Sequence, residues 1–210
     1  MGQPHYFSDS PAGKHRPGVV SLRVGDLNVE LATDGGVFAA DEVDWGTRYL
    51  LAEAPRPPEH GPLLDLGCGY GAIAVALSRW APRAPLWAVD VNPRALALCR
   101  ANLDRHAAGN PAVVCRPEEV PADVRFAAIY SNPPIRIGKA ALHDLLATWL
   151  DRLTHDGQAF LVVNKHLGSD SLARWLNEGG RPTTRLRSRR GYRILEVAAQ
   201  TGDTQSESAL

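Results

Sequence analysis

From position 62 onward, short apolar runs alternate with longer stretches whose apolar residues recur every three or four positions. Pro62–Leu66, Leu86–Asp90, Ala112–Cys115, Phe126–Ser131 and Gln158–Asn164 read as buried strands. Gly71–Trp80, Pro93–His106 and Lys139–His155 read as the helices between them. Pro93 suits a first helical turn, where its missing N–H has no partner to lose. Apolar strands alternating with helices predict a parallel sheet covered on both faces. After Ser169–Asn177 the rhythm changes. Thr183–Ser188 and Tyr192–Ala198, joined by Arg189-Arg190-Gly191, alternate as an antiparallel hairpin. The predicted fold class is α/β: a mostly parallel seven-stranded sheet with an antiparallel last strand and helices on both faces.

Before this core, Ser21–Val24 and Leu27–Leu31 alternate around Gly25-Asp26, which predicts a small N-terminal β-hairpin extension. Asp34-Gly-Gly36 breaks the chain, and Asp44–Glu53 reads as a short helix. Three regions follow: 1–60 as an arm, hairpin and further segment packed on the core, 61–200 as the core domain, and 201–210 as a flexible polar tail.

The 210 residues carry 23 Lys plus Arg against 23 Asp plus Glu, so no global field draws the molecule to nucleic acid and any basic footprint must be local. Cys68, Cys99 and Cys115 are odd in number and lack metal-type spacing, which predicts reduced thiols and a cytoplasmic protein with no metal. No apolar run approaches the ~20 residues that span a bilayer. The first 18 residues have no secretory h-region, and Gly2 lacks the Ser or Thr of a myristoylation site.

Candidate chemistry begins at Asp65-Leu-Gly-Cys-Gly-Tyr-Gly71, where a strand turns into a helix. Glycine permits the tight turn and lets a ligand approach the backbone with no Cβ in the way. The amides of the following helix then face that ligand. Asp90 ends the next strand, where a carboxylate can accept both hydroxyls of a ribose, with Val91 and Asn92 on the same edge. Gly67-Cys-Gly69-Tyr-Gly-Ala72 also fits the dinucleotide fingerprint. Two details favour S-adenosylmethionine. Asp65 would repel a pyrophosphate but suits a cationic amino-acid group, and the terminal hairpin stands where a second mononucleotide-binding half would be. Cys68 and Tyr70 read as lining or packing groups.

Ser131-Asn-Pro-Pro134 follows another buried strand, at the sheet edge where open α/β folds bind ligands. An exocyclic amine is a poor nucleophile because its lone pair is delocalised into the ring. The Asn132 side-chain oxygen and the Pro133 carbonyl can each accept one N–H, aiming the nitrogen lone pair at a sulfonium methyl. Prolines stiffen the turn, so the acceptors are preorganised. Methyl transfer needs an in-line approach at ~3–3.5 Å, and positioning supplies much of the rate.

On these residues the chain resembles class I S-adenosylmethionine-dependent methyltransferases of the small-domain (MTS) group, which includes the rRNA guanine-N2 methyltransferases. It is most similar to their single-domain archaeal relatives. The likeness runs from His5-Tyr-Phe-Ser8 to Val197 and takes in Gly36-Val-Phe38, Val43-Asp-Trp-Gly-Thr47, Ser131-Asn-Pro-Pro-Ile-Arg-Ile-Gly-Lys139 and Gly191-Tyr-Arg-Ile194. It implies a Rossmann-like fold, S-adenosyl-L-methionine as cofactor, and transfer to guanine N2 of ribosomal RNA. By the same resemblance, Asp65, Gly67, Cys68, Gly69 and Gly71 line the methionine side, and Asp90, Val91 and Asn92 take the ribose. Asn132, Pro133 and Pro134 hold the acceptor amine, while Gly46 and Thr47 belong to a segment that covers the cofactor. Two positions depart from the pattern. Ile135 stands where relatives often carry an aromatic residue that stacks on the base; Tyr6 or Phe7 of the arm could replace it or pack in the core. Near the usual adenine-binding Asp stands Pro117, and Glu118 is nominated for that contact.

Arg181, Arg185, Arg187, Arg189, Arg190 and Arg193 cluster near the terminal hairpin, and Arg136, Lys139, Lys165 and His166 fall on the expected active-site side. They could follow an RNA backbone or serve solvent and surface carboxylates. Ile135, Arg136, Lys139 and Arg190 are the candidate substrate contacts, with rRNA or a ribosomal subunit as partner. A small-molecule acceptor, such as an antibiotic, is the alternative, because the larger relatives carry an additional RNA-recognition domain. A non-catalytic RNA-binding assembly protein is a third reading.

Overall fold

A computed structural model describes residues 14–200. The arm before residue 14, with Tyr6 and Phe7, and the predicted tail 201–210 lie outside the described residues. Among the described residues, nine strands and five α-helices are arranged as β1 (Gly18–Val24), β2 (Leu27–Thr33), α1 (Trp45–Glu53), β3 (Leu63–Leu66), α2 (Ala72–Trp80), β4 (Leu86–Val89), α3 (Pro93–His106), β5 (Ala112–Cys115), β6 (Phe126–Ser131), α4 (Lys139–Leu150), β7 (Leu153–Asn164), α5 (Ser169–Glu178), β8 (Thr183–Arg189) and β9 (Tyr192–Ala198).

The seven-stranded sheet has the order β5-β4-β3-β6-β7-β9-β8. Every pairing from β5 to β7 is parallel, and β9 runs antiparallel to both β7 and β8. The strand order reverses between β3 and β6, which opens a crevice at their carboxyl ends. Both candidate motifs emerge there: Gly67 follows β3, and Asn132 follows β6.

Alternate side chains of the strands feed two cores. Tyr130, Phe160 and Val162 join the layer of α1, α2, α3 and the hairpin β1–β2. Ile129, Leu161 and Val163 join the layer of α4 and α5. The hairpin is held to the sheet layer by Asn102, buried in α3. Its Oδ1 accepts the Ala32 amide at 2.8 Å, and its Nδ2 donates to the Ala32 and Tyr70 carbonyls at 3.0 and 2.8 Å. One amide thereby links the hairpin edge, a helix and the glycine loop.

One predicted boundary is wrong. The helix expected over Lys139–His155 stops at Leu150, and the strand begins at Leu153, opposite Phe126. Leu146, Trp149, Leu150 and Leu153 keep a helical spacing, which disguises the change of period. Gly157 allows the strand to pass close to its neighbour, since a Cβ there would lie 2.7 Å from the Phe126 carbonyl oxygen. The final turn is the pair Arg190-Gly191, both at positive φ (50° and 79°), as a two-residue hairpin connection requires.

Candidate active site

The crevice is a cleft of about 880 Å³ lined by the two motifs and by the loop between β2 and α1. Of the candidate residues, Thr47, Gly67, Cys68, Gly69, Asp90, Val91, Asn92, Asn132, Pro133, Pro134, Ile135 and Arg136 line it.

The three glycines do different work. Gly67 and Gly69, at φ 75° and 54°, have nothing within 4 Å of where a Cβ would stand. Their backbone faces open cleft, a cradle that any side chain would fill. Gly71, at φ 90°, instead faces inward, where a Cβ would meet Cys99 Sγ at 2.8 Å. It gives α2 its left-handed N-cap and lets the helix pack against α3. Gly71 is absent from the cleft lining.

Asp65 also stands behind the cleft. It is fully buried, its Oδ2 accepts the Ala74 amide at 2.8 Å, and its Oδ1 has no partner. The carboxyl caps α2 from outside its own sequence. Burial lifts its pKa to about 8, against the opposing pull of the Ala74 amide and with a smaller push from Asp90. Asp90 lies in the cleft. Its Oδ2 accepts the Gly69 amide and its Oδ1 the Asn92 amide, each at 2.9 Å, leaving further lone pairs for ligand hydroxyls. Burial raises its pKa too, and the three backbone amides of Asn92, Gly69 and Val91 oppose that rise. Asn92 caps α3 and ties down the loop above, its Nδ2 donating to the Gly36 carbonyl at 3.1 Å.

At the other end, Ser131 Oγ donates to the Leu66 carbonyl at 2.7 Å, which joins the ends of β6 and β3. Pro134 (φ −76°, ψ 75°) sits at the centre of a tight turn in which the Ile135 amide donates to the Pro133 carbonyl at 2.8 Å. That carbonyl retains one lone pair for a second donor. Asn132 Nδ2 donates to Asp44 Oδ2 at 2.9 Å and to Thr47 Oγ1 at 3.1 Å, so both of its amide hydrogens are used. Its Oδ1 is the side-chain atom left to accept from a ligand.

Glu118 is not among the residues that line the cleft. Its carboxylate is largely exposed and lies 3.6 Å from Arg116 Nη1, while Pro117 lines the cleft. The short helical turn that begins at Pro117 carries Glu118 outward. Lys139 lines a neighbouring cavity of about 140 Å³ with Ile135, His143 and Leu167. Arg190 holds its guanidinium 5.8 Å from the Trp45 ring, outside the cleft lining. The arginine cluster divides. Arg181 pairs with Asp151, Arg185 and Arg193 with Asp170, and Arg187 with Glu53 at 3.5 Å. Arg189 and Arg190, at the hairpin tip, make no such pair among the described residues.

Three cleft residues lie in segments quoted for the resemblance but received no role from sequence. Asp44 caps α1 through the Thr47 amide at 3.2 Å besides holding Asn132. Phe38 is 67% exposed on the lip of the cleft. Tyr192 enters the cleft wall and packs near Trp45, with ring centroids 5.2 Å apart. The Asp-x-x-Thr cap signal was available for Asp44, but no local pattern announces an aromatic wall supplied by a hairpin 140-odd residues away.

Known proteins resemble this chain in sequence and in fold. The family model described as methyltransferase small domain matches residues 28–196. The uncharacterized protein YbxB of Bacillus subtilis is 30% identical over 195 residues, covering 92% of this chain and 97% of that protein. Ribosomal RNA small subunit methyltransferase C of Shewanella halifaxensis is 35% identical over 143 residues, 66% of this chain and 41% of the relative. This chain thus spans less than half the length of that relative. Among solved structures, the T. thermophilus 16S rRNA N2 methyltransferase RsmC, in complex with AdoMet and guanosine, superposes with a TM-score of 0.72 at 25% identity, over 87% of this chain and 50% of the other.

Proposed function

The chain belongs to the methyltransferase small domain family of S-adenosylmethionine-dependent enzymes, and on that premise we propose that it methylates the exocyclic N2 amine of a guanosine in ribosomal RNA. S-adenosylmethionine supplies an electrophilic methyl on a sulfonium. Gly67 and Gly69 leave room for it against the backbone, and Asp90 offers carboxylate lone pairs to its ribose hydroxyls. Val91, Asn92, Cys68 and Thr47 complete the walls. Pro117 lines the same cleft beyond Asp90 and Asn92, on the side we propose for the base of the cofactor.

One observation carries the reading: the Asn132 amide is fixed with both hydrogens turned away, so Oδ1 presents acceptor lone pairs in the cleft shared with the glycine loop. An acceptor there selects a ligand N–H. The free lone pair on the Pro133 carbonyl suits the second hydrogen of an NH2 group. The amine nitrogen becomes acidic as it is alkylated, so no strong base is needed. Ile135 and Arg136 border the acceptor side, and Tyr192 provides an aromatic surface that Ile135 does not.

The experiment is methylation with labelled S-adenosylmethionine on rRNA and on ribosomal subunits, followed by nucleoside mass spectrometry. N2-methylguanosine is the expected product. Label confined to small-molecule extracts would defeat the RNA reading and favour the second one, an amine on a small acceptor. Ile135 motivates that alternative, because an aliphatic wall forfeits base stacking worth about 1–3 kcal/mol.

A further inference from the structure

Asn132 is held by residues of a distant segment, and the arrangement is selective. A side-chain amide has two orientations related by a half turn, which exchange its oxygen and nitrogen. In the observed one, Nδ2 lies 2.9 Å from Asp44 Oδ2. The reversed amide would put two oxygen acceptors, one of them on a carboxylate, at that distance with no hydrogen between them. Thr47 cannot make the choice, because its hydroxyl, 3.1 Å from Nδ2, can donate as readily as it accepts. Among the described residues, Asp44 alone breaks the symmetry.

The carboxylate is itself fixed. Its Oδ2 caps α1 by accepting the Thr47 amide at 3.2 Å. Gly46 leaves the necessary space, since a Cβ there would come within 2.8 Å of Asp44 Oδ2 and 2.9 Å of Tyr192 Cε1. Trp45 stacks on Tyr49 with centroids 4.8 Å apart and also packs against Tyr192 with centroids 5.2 Å apart. The start of α1 is therefore packed against the terminal hairpin, and Asp44 is carried to the end of β6 by that packing.

We infer that Asp44 is a positioning residue for methyl transfer: it locks the Asn132 amide with Oδ1 toward the acceptor amine, which rests on the amine-methylation reading above. It acts through Asn132 and not by touching the reacting atoms. Its charge sits directly behind the amide and polarises it, so that Oδ1 becomes a stronger acceptor as the amine nitrogen gains positive charge.

Two variants separate this role from helix capping. Serine caps a helix about as well as aspartate, but its hydroxyl is one bond too short to hold the Asn132 amide as well. Asp44→Ser should keep the melting temperature and cofactor Kd close to wild type while lowering kcat about a hundredfold, with KM changed less than threefold. Asp44→Asn can place its oxygen where Oδ2 stands and should restore kcat to within about tenfold of wild type. The second measurement is NMR of the Asn132 side-chain amide, identified by its loss in Asn132→Ala. Both of its protons should exchange slowly in the wild type, and at the rate of exposed amides in Asp44→Ser. An Asp44→Ser enzyme with wild-type kcat overturns the inference, as do rapidly exchanging Asn132 protons in the wild type. A wild-type chain that methylates no amine defeats the functional reading instead, and the exchange measurement then decides the orientation by itself.

Discussion

Asp65 gives a test of how the glycine loop is supported. The carboxyl is inside the protein with one oxygen on the Ala74 amide and the other unpartnered. Burial raises its pKa from 3.8 in the unfolded reference to about 8. Between those values the folded protein holds a proton that the unfolded chain has released. Stability therefore falls as pH rises, by about 1.36 kcal/mol per pH unit. The contribution is fully present below about pH 4 and gone by about pH 8. Asp65→Asn preserves the shape and the oxygen that meets Ala74, but it cannot titrate. Urea unfolding of both proteins at a series of pH values isolates the group, since all other titrations cancel in the difference. From pH 5 to pH 7 the asparagine variant should gain about 2.7 kcal/mol relative to wild type. A difference that stays flat across that interval would refute the reasoning, and with it the proton on Asp65 at neutral pH.

The glycines should fail in two separate ways. Gly71→Ala should cost about 2–4 kcal/mol in urea unfolding, from its left-handed backbone and the overlap with Cys99, and adding Cys99→Ala should return only the part due to Sγ, since Cys99 Cα and Cβ also crowd the new methyl. Gly67→Ala and Gly69→Ala should cost only about 1–2 kcal/mol of stability. Calorimetry should nonetheless find cofactor Kd raised at least tenfold, because the new methyl stands in the cleft. Asn132→Ala should lower kcat about a hundredfold or more with cofactor Kd retained, measured by methyl incorporation into the accepted RNA. Arg189→Ala combined with Arg190→Ala should weaken binding to an rRNA fragment and reduce the salt slope by about one per lost phosphate contact. Arg185→Ala, whose charge is already 3.0 Å from Asp170, should leave that slope unchanged.

The centre of the sheet was legible because β3, β4, β6 and the second half of β7 are buried on both faces and the helices are amphipathic, so period and length separate them. The exception was the stretch after Leu150, where apolar residues at helical spacing continue into a strand. The cofactor side was readable as a motif but not as a division of labour. Asp65 and Gly71 belong to the same seven residues as Gly67 and Gly69, yet they face the helix layer and not the cleft. Only the direction of each backbone position distinguishes them, and a run of alternating glycines does not encode it. Glu118 stands outside the cleft lining for a similar reason: the helical turn starting at Pro117 decides which neighbour faces inward.

The charge pattern required the third dimension most. Lysine and arginine balance aspartate and glutamate across the chain, and six arginines crowd the terminal hairpin. Neither fact predicts which charges are available to a partner. Asp151, Asp170 and Glu53 lie far apart in sequence, and the fold brings each to an arginine near the hairpin. Among the described residues, what remains without an acidic partner is the tip, Arg189 and Arg190. There the Gly191 carbonyl accepts the Lys165 amide, which joins the tip to the turn after β7, next to Asn164 in the cleft wall. A neutral molecule can thus keep a cationic edge beside one opening, provided its carboxylates are committed elsewhere by folding. For a strand of phosphates, that local excess is what matters, because screening limits each charge to a range of about 8–10 Å at physiological salt.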